Sequence, residues 1–259
     1  MCGCSVPTVA TSKTVGRPGS GPGEYRAPQA VLVHHDSLLV LDPANLRITT
    51  YTIGDSLLYA GDSRIPFPVY DFCMVADRLF VLGYHDDRWV HELRLPDLEQ
   101  THSFGEPTAD HPALRSREYR YLDCDRDVLV PYGSEWGRLA AYSPDGEPRW
   151  ELTVTDFQQM VITPRPDGRV SYSYPETGWY HSMLGTIHLG DTLVVQVGRV
   201  EREQRISPRD APNVTWVGFA TDGRELWRRQ VPFRVVVKRD RMLYGIYAEP
   251  FPRVIVGRM

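Results

Sequence analysis

The residues best suited to metal chemistry lie together in one short segment, His85-Asp86-Asp87. A neutral imidazole and carboxylates can ligate zinc or calcium. Adjacent residues rarely all point at one ion, so a site would need ligands from elsewhere. The alternative metal set is His85, Asp86 and Glu135, with a divalent cation such as calcium. Solvated loop charge is the simpler interpretation, and we predict no metal and no cofactor.

Tyrosine and tryptophan side chains recur in the segments that separate predicted strands. Such rings combine an apolar body with a polar tip, and they are common in binding surfaces. Segments of this kind vary most and carry function most often. The sequence therefore predicts one aromatic-rich face that binds a ligand, formed by Tyr84, His85, Trp89, Trp136, Trp179 and Tyr180.

Established catalytic patterns are missing from the sequence. It contains no Gly-x-Ser-x-Gly, no phosphate-binding Gly-x-x-x-x-Gly-Lys and no His-Glu-x-x-His. The run Gly19-Ser-Gly-Pro-Gly23 is a poor phosphate loop, because Pro22 removes a donor and no helix follows. We predict no catalytic residue.

Three histidines alternate with apolar residues in predicted strands: His91, His102 and His188. Neighbouring side chains of a strand point to opposite faces. Each histidine is therefore expected to pack in the interior or to face solvent.

Composition narrows the classes of partner. The chain has 259 residues, 29 Lys and Arg against 33 Asp and Glu, and a net charge of −4. This balance gives no overall attraction to nucleic acid or anionic lipid. Apolar runs are only a few residues long, whereas roughly 20 are needed to cross a bilayer. We predict a single monomeric domain over residues 1–259, with no transmembrane segment and no nucleic-acid partner.

An internal repeat carries the strongest structural information. An Asp followed two places later by an apolar residue recurs about every 41 residues, a spacing typical of four-stranded propeller blades. The copies are Asp36, Asp77, Asp127, Asp191 and Asp240, with a looser copy at Asp167. Asp suits the tight turn between two antiparallel strands. Each copy therefore predicts the turn between the first two strands of a unit.

A second turn recurs after the third strand of four units: residues 53–55, 95–97, 144–146 and 221–223. A candidate outer strand follows each one. The fourth unit has room only for a strand at 169–174 and an element at 180–184, with the next unit beginning near Gly185. The sixth unit lacks an outer strand, which Thr8–Val15 could supply from the other end of the chain.

Residues 16–48 resemble one NHL repeat. The shared features are the glycine-proline loop with its aromatic and the strand-end motif: Gly19, Gly21, Pro22, Gly23, Tyr25, Pro28, Asp42, Asn45, Arg47 and Ile48. The resemblance implies an all-β, six-bladed β-propeller with a degenerate fourth blade, closed by the N-terminal strand. A five-bladed propeller is the alternative. In NHL units the Asp and Arg of the motif staple one blade, which implies a structural role for Asp42 and Arg47.

Two function classes follow from the sequence and this resemblance. The first is a non-catalytic binding or scaffold propeller whose loop-rich face recognises a protein or carbohydrate-like partner. The second is a metal-dependent hydrolase or lyase with its site at the channel mouth, because the fold includes calcium-dependent lactonases and metal-using lyases. Fold alone does not decide between them.

The four cysteines are Cys2, Cys4, Cys73 and Cys124. Cys73 and Cys124 fall near the ends of equivalent strands, where we expect buried free thiols rather than a disulfide. Residues 1–7 could be a disordered or lipid-anchor remnant. The compartment is extracytoplasmic if a signal precedes this sequence and cytoplasmic otherwise.

Overall fold

The computed structural model describes residues 15–202, 214–239, 242–247 and 253–258. Strands dominate, which confirms the all-β prediction, and helix within these residues is limited to a 3₁₀ turn at Pro43–Asn45 and a short α1 at Pro112–Arg115. No helix in these ranges is long and apolar enough to span a bilayer. The chain divides into two compact units, residues 1–64 and 65–259, which are described separately.

The first unit contains one four-stranded antiparallel sheet, sheet I. Its strands are β3 (Ala30–His34), β4 (Ser37–Asp42), β5 (Arg47–Ile53) and β6 (Leu57–Arg64), preceded by a short parallel pair of β1 (Arg17–Pro18) and β2 (Glu24–Tyr25). The fully buried Asp42 accepts hydrogen bonds from the backbone N–H of Arg26 and Ala27 and from Asn45 Nδ2 at 2.7 Å. Asp42 therefore holds the glycine loop against β4.

Arg47 completes this arrangement from the neighbouring strand β5. Its guanidinium donates to the carbonyls of Gly21 and Glu24 and lies 3.0 Å from the Asp62 carboxylate. A buried guanidinium with this many acceptors is a structural group. The motif therefore holds one sheet and its preceding loop together.

In its described residues, the second unit contains three more antiparallel sheets of four strands and a further sheet of three strands, with a two-stranded hairpin that follows sheet III along the chain. Sheet II has β7 (Asp71–Val75), β8 (Arg78–His85), β9 (Arg88–Arg94) and β10 (Glu99–Phe104). Sheet III has β11 (Tyr121–Asp125), β12 (Val128–Tyr132), β13 (Arg138–Tyr142) and β14 (Pro148–Thr153). The hairpin has β15 (Val161–Pro164) and β16 (Val170–Ser173).

Sheet IV follows with β17 (Trp179–Leu189), β18 (Thr192–Glu201), β19 (Val214–Phe219) and β20 (Glu225–Val231). Sheet V has the three strands β21 (Arg234–Arg239), β22 (Met242–Tyr247) and β23 (Arg253–Arg258), without an outer strand in the described residues. The predicted closing segment Thr8–Val15 lies outside the described residues except for Val15, as do Cys2, Cys4 and the turn at Asp240.

In the four-stranded sheets, burial rises from the outer strand to the middle of the sheet. The second strands β8 and β18 are nearly continuous apolar runs, because sheets pack on both of their faces. The fourth strands β10, β14 and β20 are mostly exposed and carry charged residues. Charge on an outer strand also discourages pairing with another chain.

Sheets II, III and IV pack in sequence through two apolar cores. One core joins sheets II and III, and the other joins sheets III and IV directly, with Leu139, Val195 and Val217 among its buried members. The hairpin therefore does not separate sheets III and IV. The elements predicted at 180–184 and from Gly185 form one strand, β17, with a bulge at Leu184.

The predicted turns connect the strands where the repeat placed them. Within the described residues, the connection from first to second strand has two residues in each four-stranded sheet, and the Asp is the second of them. Positive φ falls on the residue before the Asp: His35, Ala76, Arg126 and Gly190. A two-residue connection between antiparallel strands requires a residue in the left-handed region of φ, and these four residues provide it.

The free-thiol prediction for Cys73 and Cys124 was wrong. The two residues form a disulfide between β7 and β11, with Cα atoms 6.2 Å apart. The first strands of sheets II and III lie side by side, and both cysteines point into the core between these sheets. The bond therefore connects neighbouring sheets.

Candidate functional site

Tyr84, His85 and Trp89, predicted to lie in a segment that separates two strands, belong instead to a tight hairpin. Strand β8 continues to His85 and β9 begins at Arg88, so only Asp86 and Asp87 form the turn, with φ of 48° and 55°. Trp89 is fully buried, and its indole N–H donates to Glu118 at 3.2 Å. A ring in this position supports the core and offers no surface to a partner.

Glu118 shows why the neighbouring loop is ordered. The carboxylate is 1% exposed and accepts hydrogen bonds from the Thr108 N–H, the Thr108 hydroxyl and the Ala109 N–H, at 2.5 to 3.0 Å. These bonds satisfy a buried charge that would otherwise be costly. Glu118 therefore anchors the loop from 105 to 120. Its carboxylate oxygens are already used by these hydrogen bonds and are not available to a ligand.

The alternative metal set does not come together. The His85 ring stacks on Phe67 at 4.5 Å, and His85 Nε2 lies 3.3 Å from the Asp86 carboxylate. Glu135 lies in the loop after β12. Among the described residues, no group of three ligand atoms within 4.8 Å of one another includes His85, Asp86 or Glu135.

Trp179 belongs to a run of ring contacts that leads through His181 to Phe157, and the backbone of Trp136 lies beside this run. Gln159 donates to the Trp136 carbonyl at 3.0 Å, and Gly137 packs against the Phe157 ring. Phe157 in turn lies 5.4 Å from the His181 ring, and His181 lies 4.9 Å from Trp179. Of the six predicted ligand residues, Tyr84 thus contacts Trp89, while Trp136, Trp179 and Tyr180 belong to this second region.

The most open part of this region is a depression of about 260 Å³ at the ends of β17 and β18, here called the Trp179 site. Its lining residues are Thr177, Gly178, Trp179, Arg199, Glu201 and Arg202. Tyr174 flanks it and contacts the buried Tyr180 at 5.4 Å. Burial raises the pKa of Tyr180 to about 12, so its hydroxyl stays neutral.

Two guanidinium groups lie over aromatic rings in the Trp179 site. Arg199 lies 4.5 Å above the Trp179 ring, and Arg202 lies 5.5 Å above Tyr174. Arg199 also pairs with Glu201 at 3.0 Å. Among the described residues, no hydrogen-bond acceptor or carboxylate binds the exposed Arg202 guanidinium. Stacking leaves the N–H edge of a guanidinium available for an in-plane acceptor.

His181 reports the electrostatic character of this neighbourhood. Its Nδ1 accepts a hydrogen bond from the Gln158 N–H at 2.9 Å. Burial, and then the positive charges of Arg199 and Arg228, lower the pKa of His181 below its usual value. The ring therefore favours its neutral form, chiefly because it is buried and secondly because two arginines lie nearby.

A second polar group, which the sequence analysis missed, lies on the first strands of sheets II, III and IV. This inner-strand cluster consists of Asp71 on β7, Asp123 and Asp125 on β11, and Thr186 and His188 on β17. Asp123 accepts the Thr186 hydroxyl at 2.7 Å and lies 3.3 Å from His188 Nε2. His188 thus faces carboxylates, neither the apolar interior nor open solvent.

Most of the inner-strand cluster borders a cavity of about 340 Å³ that reaches Val235 and Val236 of sheet V. Asp71 accepts the backbone N–H groups of Leu122 and Phe72. Burial raises the pKa of Asp71 to about 6, and the nearby Asp123 charge adds to this rise. No three ligand atoms of the cluster lie within 4.8 Å of one another, which is too open for one ion.

Comparison with known proteins supports the fold and no more. No protein-family model and no curated protein sequence matches the chain. A protein from Bacteroides fragilis NCTC 9343 has a similar structure, with a TM-score of 0.54, 13% identity, and 89% of this chain matched to 69% of that chain. A DUF4221 family member from Bacteroides vulgatus ATCC 8482 gives 0.56 and 10%, with 92% of this chain matched to 81% of that chain.

Proposed function

We propose that this protein is a non-catalytic binding protein that recognises its partner through the Trp179 site. The observation that carries the proposal is the placement of Arg199 and Arg202 over the rings of Trp179 and Tyr174. Tryptophan, tyrosine and arginine dominate the energetics of recognition surfaces. Here they lie in an exposed depression, whereas the predicted Trp89 is used by the core.

The architecture belongs to the same proposal. We infer a β-propeller, and the direct packing of sheets III and IV, with no complete sheet between them, supports the five-bladed alternative over six blades. The hairpin β15–β16 is then what remains of the degenerate fourth blade. An experimental structure with the hairpin inserted between sheets III and IV would favour six blades.

The disulfide supports an extracytoplasmic location. Disulfides persist in oxidising compartments and are rare where thiols are kept reduced. Trapping free thiols at the moment of cell lysis should therefore find Cys73 and Cys124 oxidised in protein from its native source. Finding both thiols reduced would contradict this location.

The binding role can be tested with immobilised protein and a panel of neutral glycans, acidic glycans and acidic peptides. Binding should be lost in Trp179→Ala and kept in Tyr172→Ala, which removes a ring of 48% exposure from the hairpin. Binding that is indifferent to Trp179→Ala would overturn the proposed site. Time-dependent cleavage of a bound probe would contradict a non-catalytic role.

A further inference from the structure

The Trp179 site carries chemical information about what it binds. We propose that its ligand is an acidic saccharide, a uronate whose carboxylate pairs with Arg202 while its hydroxyls bind Glu201. This inference rests on the proposed binding function and names the ligand class for the same site.

Arg202 supplies the anion selectivity. Its backbone N–H donates to the Gly178 carbonyl at 2.9 Å, which fixes the strand end beneath the side chain. Its guanidinium is oriented by the Tyr174 ring. Guanidinium groups match planar carboxylates with two parallel hydrogen bonds, and a pre-oriented group loses less freedom on binding.

Glu201 distinguishes a saccharide from an acidic peptide. Its side chain is 40% exposed within the depression and points to Arg199, so a carboxylate already occupies part of the wall. A ligand that can present only carboxylates to Glu201, with no hydroxyl groups, would meet repulsion there. Hydroxyl groups would instead donate to Glu201 while one carboxylate of the ligand reaches Arg202. A uronate ring carries both groups.

The size of the depression agrees with this ligand class. At about 260 Å³ it is below the range of roughly 300–1,000 Å³ for drug-sized ligands and suits a compact ring. A protein partner alone would need roughly 800 Å² of surface on each side. Trp179 forms part of the wall of the depression and holds Arg199 over its ring.

Calorimetric titration with trigalacturonate, its fully methyl-esterified form and a tetraglutamate peptide tests the inference. Wild-type protein should bind trigalacturonate at low salt, and the uncharged ester at least about tenfold more weakly. Arg202→Ala should show a similar loss. Arg202→Lys should recover only part of the affinity, because lysine keeps the charge and lacks the planar fork.

The matched control is Arg169→Ala, which removes the same charge from a hairpin side chain of 84% exposure and should leave affinity unchanged. Equal affinity for acid and ester, or no loss in Arg202→Ala, would overturn the inference, as would absence of trigalacturonate binding at millimolar concentration. Binding of tetraglutamate alone, still dependent on Trp179, would refute the saccharide class and leave the binding function intact.

Discussion

The inner-strand cluster and the Trp179 site both contain charged side chains, and the two regions differ in what surrounds those side chains. Asp71 and Asp123 accept bonds from backbone N–H groups and from Thr186 of neighbouring strands. Among the described residues, the Arg202 guanidinium lies over the Tyr174 ring and makes no ion pair. Polar groups whose hydrogen bonds are made within the fold stabilise it. A charged group at the surface that has unused hydrogen-bond donors can instead bind a ligand. Stability should therefore depend on the first region and recognition on the second.

The largest expected effect comes from the disulfide behind the inner-strand cluster. Replacing both Cys73 and Cys124 with Ser should lower the free energy of unfolding by about 4 kcal/mol, because the bond closes a chain separation of 51 residues. Urea unfolding measures the change, and reductant should destabilise only the wild type. If the wild type shows two more free thiols than the variant when no reductant is present, the disulfide is absent and the prediction fails.

The next effect is a pH dependence that arises from Asp71. Its pKa is about 6 in the folded protein against an ordinary value of 3.8, so the folded state binds more protons than the unfolded chain between about pH 4 and 6. The carboxyl's contribution to stability is therefore greatest at low pH and declines as pH rises through about 6. The difference of about 2 in pKa corresponds to a change of about 3 kcal/mol.

Comparison of the wild type with Asp71→Asn isolates this contribution. The stability of the wild type relative to the variant should fall between pH 4 and 7, because the amide does not titrate. The amide cannot accept one of the hydrogen bonds of the carboxylate. This loss lowers the stability of the variant by an amount that does not depend on pH. A difference that rises with pH would show that Asp71 is stabilised in its charged form, contrary to the burial argument.

The sequence predicted the strands well because turns and strands are local. The Asp repeat located the first turn of each four-stranded sheet, and residues 53–55, 95–97, 144–146 and 221–223 all lie at or within the connection between a third and a fourth strand. The formation of a tight turn depends on a few adjacent residues, so turns can be predicted from a single sequence. The extent of the hairpin at Asp86 was misjudged because strand pairing continued through polar residues.

The candidate sites were less predictable, because they depend on which strands become neighbours. Asp123 and Asp125 are two positions apart on β11, as Thr186 and His188 are on β17, so each pair shares one face of its strand. This spacing is visible in the sequence and indicates a polar strand face. Nothing local indicates that these two faces meet. The same limit applies to Cys73 and Cys124, and to Arg202, whose position over Tyr174 depends on the pairing of β17 with β18.

The smallest expected effect on stability is at the Trp179 site, and it decides whether the comparison holds. Arg202→Ala should change the free energy of unfolding by less than about 0.5 kcal/mol, because the side chain is exposed and makes no ion pair with the described residues. Arg78→Ala is a matched control, since Arg78 binds Glu92 and Asp145 within and beside sheet II and should cost more. If urea unfolding shows that Arg202→Ala lowers the free energy of unfolding as much as Arg78→Ala does, then Arg202 is a structural residue. The distinction between polar groups that stabilise the interior and a surface site that is open to a ligand would then fail at Arg202, the residue on which it depends most.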